Sequence, residues 1–379
     1  MFFNSRMNVR YIHLIIAILC MMASYSASSQ ECSEVLAKGV SAQEKGLDEL
    51  AKKYFRQILD GDSCDATSEA ALRLGMMLER DELYEDAIGL LRLSATREGY
   101  EHLAQCHAEL KQWDAARTAA EKAMEIEEGA SAMSTLALCE SAEGRQVNAM
   151  SWAKKAYKLQ PKDARVLNVM GIISFRKGMD NEAMQYFRKA IAADSTNVDA
   201  YNNLGTVYCA RGNSEMAIVN LKKGLRQQPK SIKLLFCLGR AYALRGDNNR
   251  AVACYQRILQ NDSINVTALI RIGNALCDNG EWEKAHAFFR RAVQVAPESA
   301  EGHKGEGRTY TAEGEYKKAV QAYIRATQTD NSDGETYLMM ADLYNKQGNA
   351  QKEKNCYKKS AKLGNKIAQQ WCIKNGTAW

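Results

Sequence analysis

His102 and Cys106 stand four residues apart with His107 alongside, a spacing that sets an imidazole and a thiol on one face of a helix. Those donor types suit a transition metal such as zinc. The same spacing also arises in an ordinary packing helix, with a partly exposed histidine over a small apolar cysteine, and that reading is preferred: no metal and no cofactor are expected. His286 and His303, the latter beside Lys304, have no acid–base partner that the sequence identifies. Glu127 and Glu128 read as a solvated helix end. No GxSxG elbow, Walker loop, HExxH or CxxC occurs, and no GxGxxG follows a strand pattern. The chain is therefore not expected to be an enzyme.

The elements that would position any site are set by a repeat. Gly144, Gly178, Gly212, Gly246, Gly280, Gly314 and Gly348 are spaced 34 residues apart without a slip. Gly171, Gly205, Gly239, Gly273 and Gly307 form a second comb, and Ala149, Ala183, Ala217, Ala251, Ala285 and Ala319 a third. The only prolines, Pro161, Pro229 and Pro297, are two periods apart. The clearest unit is Val198–Ser231. Leu204, Gly205 and Tyr208 share one face of a first helix, and Gly212 supplies the left-handed residue that stops it. Ala217, Leu221 and Gly224 line a second helix that ends before Pro229. Gly205 and Ala217 are small because two antiparallel helices cross there. One such hairpin cannot bury its apolar face alone, so a fixed period means a stack.

These residues resemble the tetratricopeptide repeat, with a large residue, Leu, Gly or Ala, Tyr, Gly, Ala, an aromatic, Ala and Pro at set places. Ala164–Asn197 offers Leu167, Met170, Gly171, Gly178, Ala183, Phe187 and Ala190; Val266–Ser299 offers Leu269, Gly273, Gly280, Ala285, Phe289, Ala292 and Pro297. Five consecutive units hold the register from 164 to 333. Weaker units precede them from Cys32 onward, the one around Gly75, Tyr84, Ala87 and Leu91 having a shortened tail. Gly334–Ile367 departs at Glu353, where the family has its packing alanine, which predicts a weakened crossing. The resemblance implies an all-α, right-handed superhelical solenoid of about ten antiparallel helix-turn-helix repeats. Gly364–Gly376 then reads as a C-terminal capping helix with Ala368 and Trp371 turned inward.

Arg6 and Arg10 precede an apolar stretch, Ile12–Ala23, and small residues follow up to Ser29. This is the pattern of a secretory signal peptide over 1–29, cleaved after Ser29. The stretch is short for a span of about 20 residues, an uncleaved signal anchor being the alternative. The expected layout is thus 1–29 signal, 30–163 degenerate repeats, 164–333 regular repeats and 334–379 last repeat and cap, continuous from residue 32. The expected location is the periplasm, outer envelope or extracellular space, with no transmembrane span after cleavage. Asn261, Asn265 and Asn375 lie in glycosylation sequons, which matter only in a eukaryotic secretory route.

The net charge of +6 falls to +4 when residues 1–29, with two arginines and no acid, are removed. That is too mild for non-specific nucleic-acid binding, and no basic run or nucleic-acid motif occurs. Ten cysteines remain after residue 29, and an exported chain can oxidise them. Cys106 and Cys139 hold the same repeat position on neighbouring first helices, which stack about 10 Å apart, beyond disulfide reach, and Cys209 and Cys277, two repeats apart, are worse placed. Cys32–Cys64, bracketing the first hairpin, and Cys356–Cys372, eight residues either side of Gly364, are the candidate disulfides; free buried thiols are the alternative.

The resemblance places the ligand in a concave groove lined by the first helices. The corresponding residues here are Arg165, Asn168, Ile172, Phe175, Arg176, Asn202, Asn203, Lys233, Phe236, Arg240, Ile270, Asn274, Lys304 and Arg308. Upstream, Glu69, Glu79, Glu98, Glu101 and Glu109 outnumber Arg80, so the groove is expected to run from acidic to basic. The carboxylate clamp for chaperone tails is matched at only two of five positions, Asn203 and Lys233, against Asn168, Ile172 and Cys237. The asparagine ladder of sugar-transferase solenoids is absent, with Val169, Asn203, Cys237, Arg271 and Gly305 in its place. The expected function is a non-catalytic exported scaffold or adaptor that holds a peptide or partner protein, within a membrane-associated envelope complex. The alternatives are a solenoid that binds a glycan or cell-wall polymer, against which Tyr208, Tyr310 and Tyr323 stand at packing positions, and an enzyme with an unfamiliar site.

Overall fold

The computed structural model describes residues 30–61 and 64–379, so the proposed signal peptide lies outside the described residues. Every regular element among them is helical, and none is a strand. The chain divides between Ala193 and Asp194 into two compact units. The first holds α1 (30–44), α2 (Asp48–Leu59), α3 (Thr67–Arg80), α4 (Tyr84–Leu91), α5 (Arg97–Glu109), α6 (Trp113–Ile126), α7 (Ala130–Ala142), α8 (Gln146–Leu159), α9 (Ala164–Arg176) and α10 (Asp180–Ala193). The second holds α11 (Val198–Ala210), α12 (Ser214–Gln227), α13 (Ile232–Leu244), α14 (Asn248–Asn261), α15 (Val266–Asp278), α16 (Trp282–Val295), α17 (Ala300–Ala312), α18 (Tyr316–Thr329), α19 (Gly334–Lys346), α20 (Ala350–Lys362) and α21 (Lys366–Lys374). Within each unit, successive helices pack as antiparallel hairpins and each second helix also packs on the next first helix. This is the helix-turn-helix solenoid architecture.

The comb that stops the first helices does so by backbone geometry. Gly144 to Gly348 all have φ between 71° and 80°, a region that costs an L-residue about 1–2 kcal/mol. Upstream the same turn persists without glycine: Glu82 (φ 63°) and Lys111 (φ 58°) hold it. A further comb marks the helix starts. Asp163, Asn197, Ser231, Asn265, Ser299 and Asp333, again 34 apart, each accept a hydrogen bond from a backbone N–H in the first turn of α9, α11, α13, α15, α17 and α19. Such caps contribute about 1 kcal/mol each.

Packing revises the reason for the small first-helix residues. A side chain at Gly205 would meet Leu221 at 2.7 Å, and one at Gly239 would meet Tyr255 at 2.5 Å. The neighbour is thus the large second-helix residue sixteen positions on, not Ala217. Phe55, Leu91, Phe187, Leu221, Phe289 and Tyr323 fill the same slot and are at most 2% exposed. Ala217 is itself fully buried. The expected weakness at Glu353 is not found. α19 and α20 pack closely, and Glu353 turns aside to accept a 2.8 Å hydrogen bond from Asn345. In α21, Ala368 and Cys372 are buried, while Trp371 stacks on Tyr357 with ring centroids 4.1 Å apart.

Candidate functional site

The polar clusters that could have done chemistry are engaged in packing. His102 faces Glu79 (2.5 Å), His107 faces Gln112 (2.6 Å) and Cys106 is fully buried, so the three point to separate neighbours. His303, which the sequence left without a partner, lies 3.4 Å from Glu306 and 2.8 Å from the Pro297 carbonyl; His286 meets Thr309 at 2.9 Å. The buried Glu140 is gripped by Arg145 and Arg117 at 2.6 Å and by Asn148. Arg145 foremost, with Arg117 and Asn148, holds its carboxyl down to about 2 against the opposing effect of burial. No group of three or more metal-ligating side chains gathers among the described residues.

Part of the expected acidic stretch is engaged by neighbouring side chains. Glu69 pairs with Arg73 (2.6 Å), Glu79 with His102, and Glu101 with Arg97 (3.9 Å). In the same unit, Arg165 donates to Gln105 and Arg176 to Ser141 (2.9 Å). Asn168 is buried, and Ile172 and Phe175 are half-buried.

The second unit collects part of the expected set into one cavity. α11 packs against α13, α15 contributes to the same cavity, and Gly205, Gly239 and Gly273 let Leu221, Tyr255 and Phe289 of the second helices seat closely against these first helices. Asn202, Lys233, Phe236, Arg240 and Asn274 line a cavity of about 550 Å³ with Thr206, Cys237, Tyr255, Arg271 and Asp278. Lys233 reaches Asp199 at 3.2 Å. Arg240 and Arg271 are exposed, and neither has a carboxylate within ion-pair distance among the described residues. Arg240 instead donates to the Cys237 sulfur at 3.8 Å. Phe236 leans on Tyr255, with centroids 5.9 Å apart.

Other expected groove residues are placed differently. Ile270 is only 4% exposed and does not line the cavity; Asn203, next to Asn202 in sequence, is half-buried and outside the lining. Arg308 is not the free cation that its repeat position suggests: it donates to Asn274 (2.8 Å) and lies 3.6 Å from Asp278. Lys304 is taken up by Asp333 (2.9 Å) and Glu335 (2.5 Å). Sequence reasoning passed over Arg271 as a site residue, although it is one period beyond Cys237 and so was available as a groove position. Of the candidate disulfides, Cys32–Cys64 is formed. Cys356 and Cys372 are unbonded and buried, each on a helix of its own.

Stacked helix-turn-helix hairpins with a lined cavity define a helical-repeat fold. A family model described as the cilia and flagella-associated protein 70 middle TPR-like domain matches residues 231–364, and two described as tetratricopeptide repeat match 186–219 and 164–197. Tetratricopeptide repeats are thus matched over residues 164–219 and 231–364. Its fold is similar to that of a tetratricopeptide repeat protein from Parabacteroides merdae, at 18% identity and a TM-score of 0.53, over 65% of this chain and 97% of that one. Shorter similarities are to MamA (23% identity, TM-score 0.40, 44% of this chain and 97% of that) and to YrrB, described as a TPR protein with an unusual peptide-binding site (21%, 0.39, 48% and 93%). No curated protein matches the chain significantly.

Proposed function

We propose that the chain is an exported, non-catalytic scaffold that holds an acidic peptide or acidic segment of a partner protein against α11, α13 and α15. The observation that carries this reading is the pair Arg240 and Arg271, exposed in a cavity of about 550 Å³ with no carboxylate partner among the described residues. Asn202, Asn274 and Thr206 add hydrogen-bonding groups, and Phe236 an apolar one. Such a floor recognises a chain with carboxylates spaced along it. Tyr208 and Tyr323 are buried, so neither offers the sugar-stacking face that a glycan reading would use.

The test is binding of a fluorescent oligoglutamate peptide, together with recovery of native partners by mass spectrometry. Arg240→Glu with Arg271→Glu is expected to weaken both by tenfold or more, and salt to weaken the native complex. Reversing Lys222 and Arg226 on α12 is expected to leave both unchanged. Equal peptide binding and equal partner recovery by the Arg240/Arg271 double variant would remove this cavity as the site.

Export rests on Arg6, Arg10 and the Ile12–Ala23 run, and the Cys32–Cys64 disulfide suits an oxidising compartment. The expected mature N-terminus is Gln30. Recovery of the chain from the cytoplasm with Met1 retained would overturn this part, whatever the peptide binds. Among the described residues no helix is long and apolar enough to cross a membrane, and the proposed setting is an envelope assembly.

A further inference from the structure

Cys237 is unlike the other free cysteines of this chain. It is 6% exposed, yet it forms part of the wall of the basic cavity. Its sulfur lies 3.6 Å from the Thr206 hydroxyl and 3.8 Å from an Arg240 guanidinium nitrogen. As a thiol it donates to the Asn202 carbonyl at 3.8 Å. A second thiol is close by: Cys209 stands one turn after Thr206 on α11, on the face that packs against α13, and its side chain interacts with that of Cys237. Reading from repeat positions alone, Cys209 was compared with Cys277, two units away. The actual neighbour is the cysteine one helix over and two turns back in register.

We propose that Cys237 and Cys209 form a thiol–disulfide exchange site that takes a small anionic disulfide into this cavity. Cys237 is the attacking sulfur and Cys209 the resolving one. The Cys237 thiolate attacks one sulfur of the disulfide R–S–S–R; a Cys237–S–S–R bond forms, and R–S⁻ leaves. With Cys237 tied up in the mixed disulfide, Cys209 gives its proton to the departed R–S⁻ and attacks the Cys237 sulfur as a thiolate; a Cys209–Cys237 disulfide forms and the second R–S⁻ leaves. The dithiol is oxidised and R–S–S–R is reduced to two thiols, so the electrons balance without a further reagent.

The surroundings favour this order. The hydrogen bond from Cys209, with Thr206 and Arg240 assisting, lowers the Cys237 pKa below the usual thiol range although burial opposes it. The same pairing, with burial, pushes the Cys209 thiol up, so Cys237 is the sulfur that ionises first. Burial instead raises the thiols of Cys106, Cys139, Cys254, Cys277, Cys356 and Cys372. The titratable groups around Cys237 are Cys209 on α11, Lys233 and Arg240 on α13, Tyr255 on α14, and Arg271 and Asp278 on α15. Three are cationic and one is a carboxylate, which selects an anionic reagent over a cationic one. A thiolate is the reactive form, and cationic neighbours mark reactive cysteines.

The probe is oxidised glutathione, a disulfide with net negative charge, against cystamine, which is dicationic. The purified chain is treated with each at low salt, quenched in acid and mapped by mass spectrometry without reduction. The expected product is a Cys209–Cys237 disulfide with two glutathiones released. In Cys209→Ser the glutathione mixed disulfide is expected to stay on Cys237. Oxidised glutathione is expected to react about tenfold faster than cystamine, the low end of electrostatic steering. Arg240→Gln, checked for native helicity, is expected to reverse most of that preference and to move the pH midpoint of Cys237 alkylation upward. Should that variant lose helicity, Arg271→Gln serves for the charge preference. The proposal is overturned if Cys237 reacts no faster than Cys254 and Cys277, or if its alkylation midpoint lies at or above that of an ordinary thiol. Loss of the mixed disulfide in folded Cys209→Ser would overturn it equally.

Discussion

Gly273→Leu is expected to destabilise the α15–α16 hairpin by about 3 kcal/mol, the upper part of the range for overpacking. A first side-chain carbon at Gly273 would sit 2.7 Å from the Phe289 ring, and that ring is fully buried. Phe289 has little room to retreat, because the ring also lies against Gly305 of α17, where an added carbon would come closer still. One aromatic ring is therefore held between glycines of two successive first helices. Gly205→Leu is a useful contrast. Its contact is the Leu221 side chain, also at 2.7 Å, which can change rotamer where a ring cannot, so about 1–2 kcal/mol is expected there. Hydrogen exchange reads the difference by location. Amides of Val266–Thr329 should lose protection first in Gly273→Leu, and a variant with native protection throughout would show that the ring does move. A long repeat array need not unfold in one step, so a local probe is better suited than a single melting temperature.

Breaking the Cys32–Cys64 disulfide is expected to cost the first hairpin about 3–4 kcal/mol in the chain-entropy model, given a closed loop of some 33 residues. The hairpin is exposed to this loss because it ends the array and has a neighbouring hairpin on one side only among the described residues. Its own core is small: Ala42, Ala51, Phe55 and Ile58 are its buried apolar residues. Limited proteolysis of Cys32→Ala with Cys64→Ala should cut within 30–61 while the rest of the unit resists. Equal resistance of that segment with and without the disulfide would show that packing of Phe55 against Gly39 suffices. The same treatment at the other end is a control. Cys356 and Cys372 are unbonded, and the cap there rests on Ala368 and on Trp371 stacked over Tyr357, so reduction should leave α21 protected.

The architecture was legible in the sequence because its determinants are local and recur. A left-handed turn favours glycine whatever lies beyond it, and a helix must end before Pro161, Pro229 or Pro297. The capping comb from Asp163 to Asp333 was equally open to reading, since a cap bonds within its own first turn. Glu82 and Lys111 were not, because there the surrounding hairpin imposes a turn that the residue type opposes.

The site was legible only as a set of positions. Repeat register brought Lys233, Arg240 and Asn274 to one face, but it treated Arg308 and Arg240 alike, and the structure does not. Arg308 meets Asp278 and Asn274 across the seam between α15 and α17, while Arg240 meets only a sulfur. Likewise, repeat spacing compared Cys209 only with Cys277, whereas the packing of α11 on α13 brings it to interact with Cys237. Sequence by itself determined the period, the helices and the faces they present, because each is settled within a few residues of chain. Only the tertiary structure decided which charges stay unpaired and which thiols touch, because those depend on the slide of one first helix against the next, about thirty residues away, which no local residue type specifies.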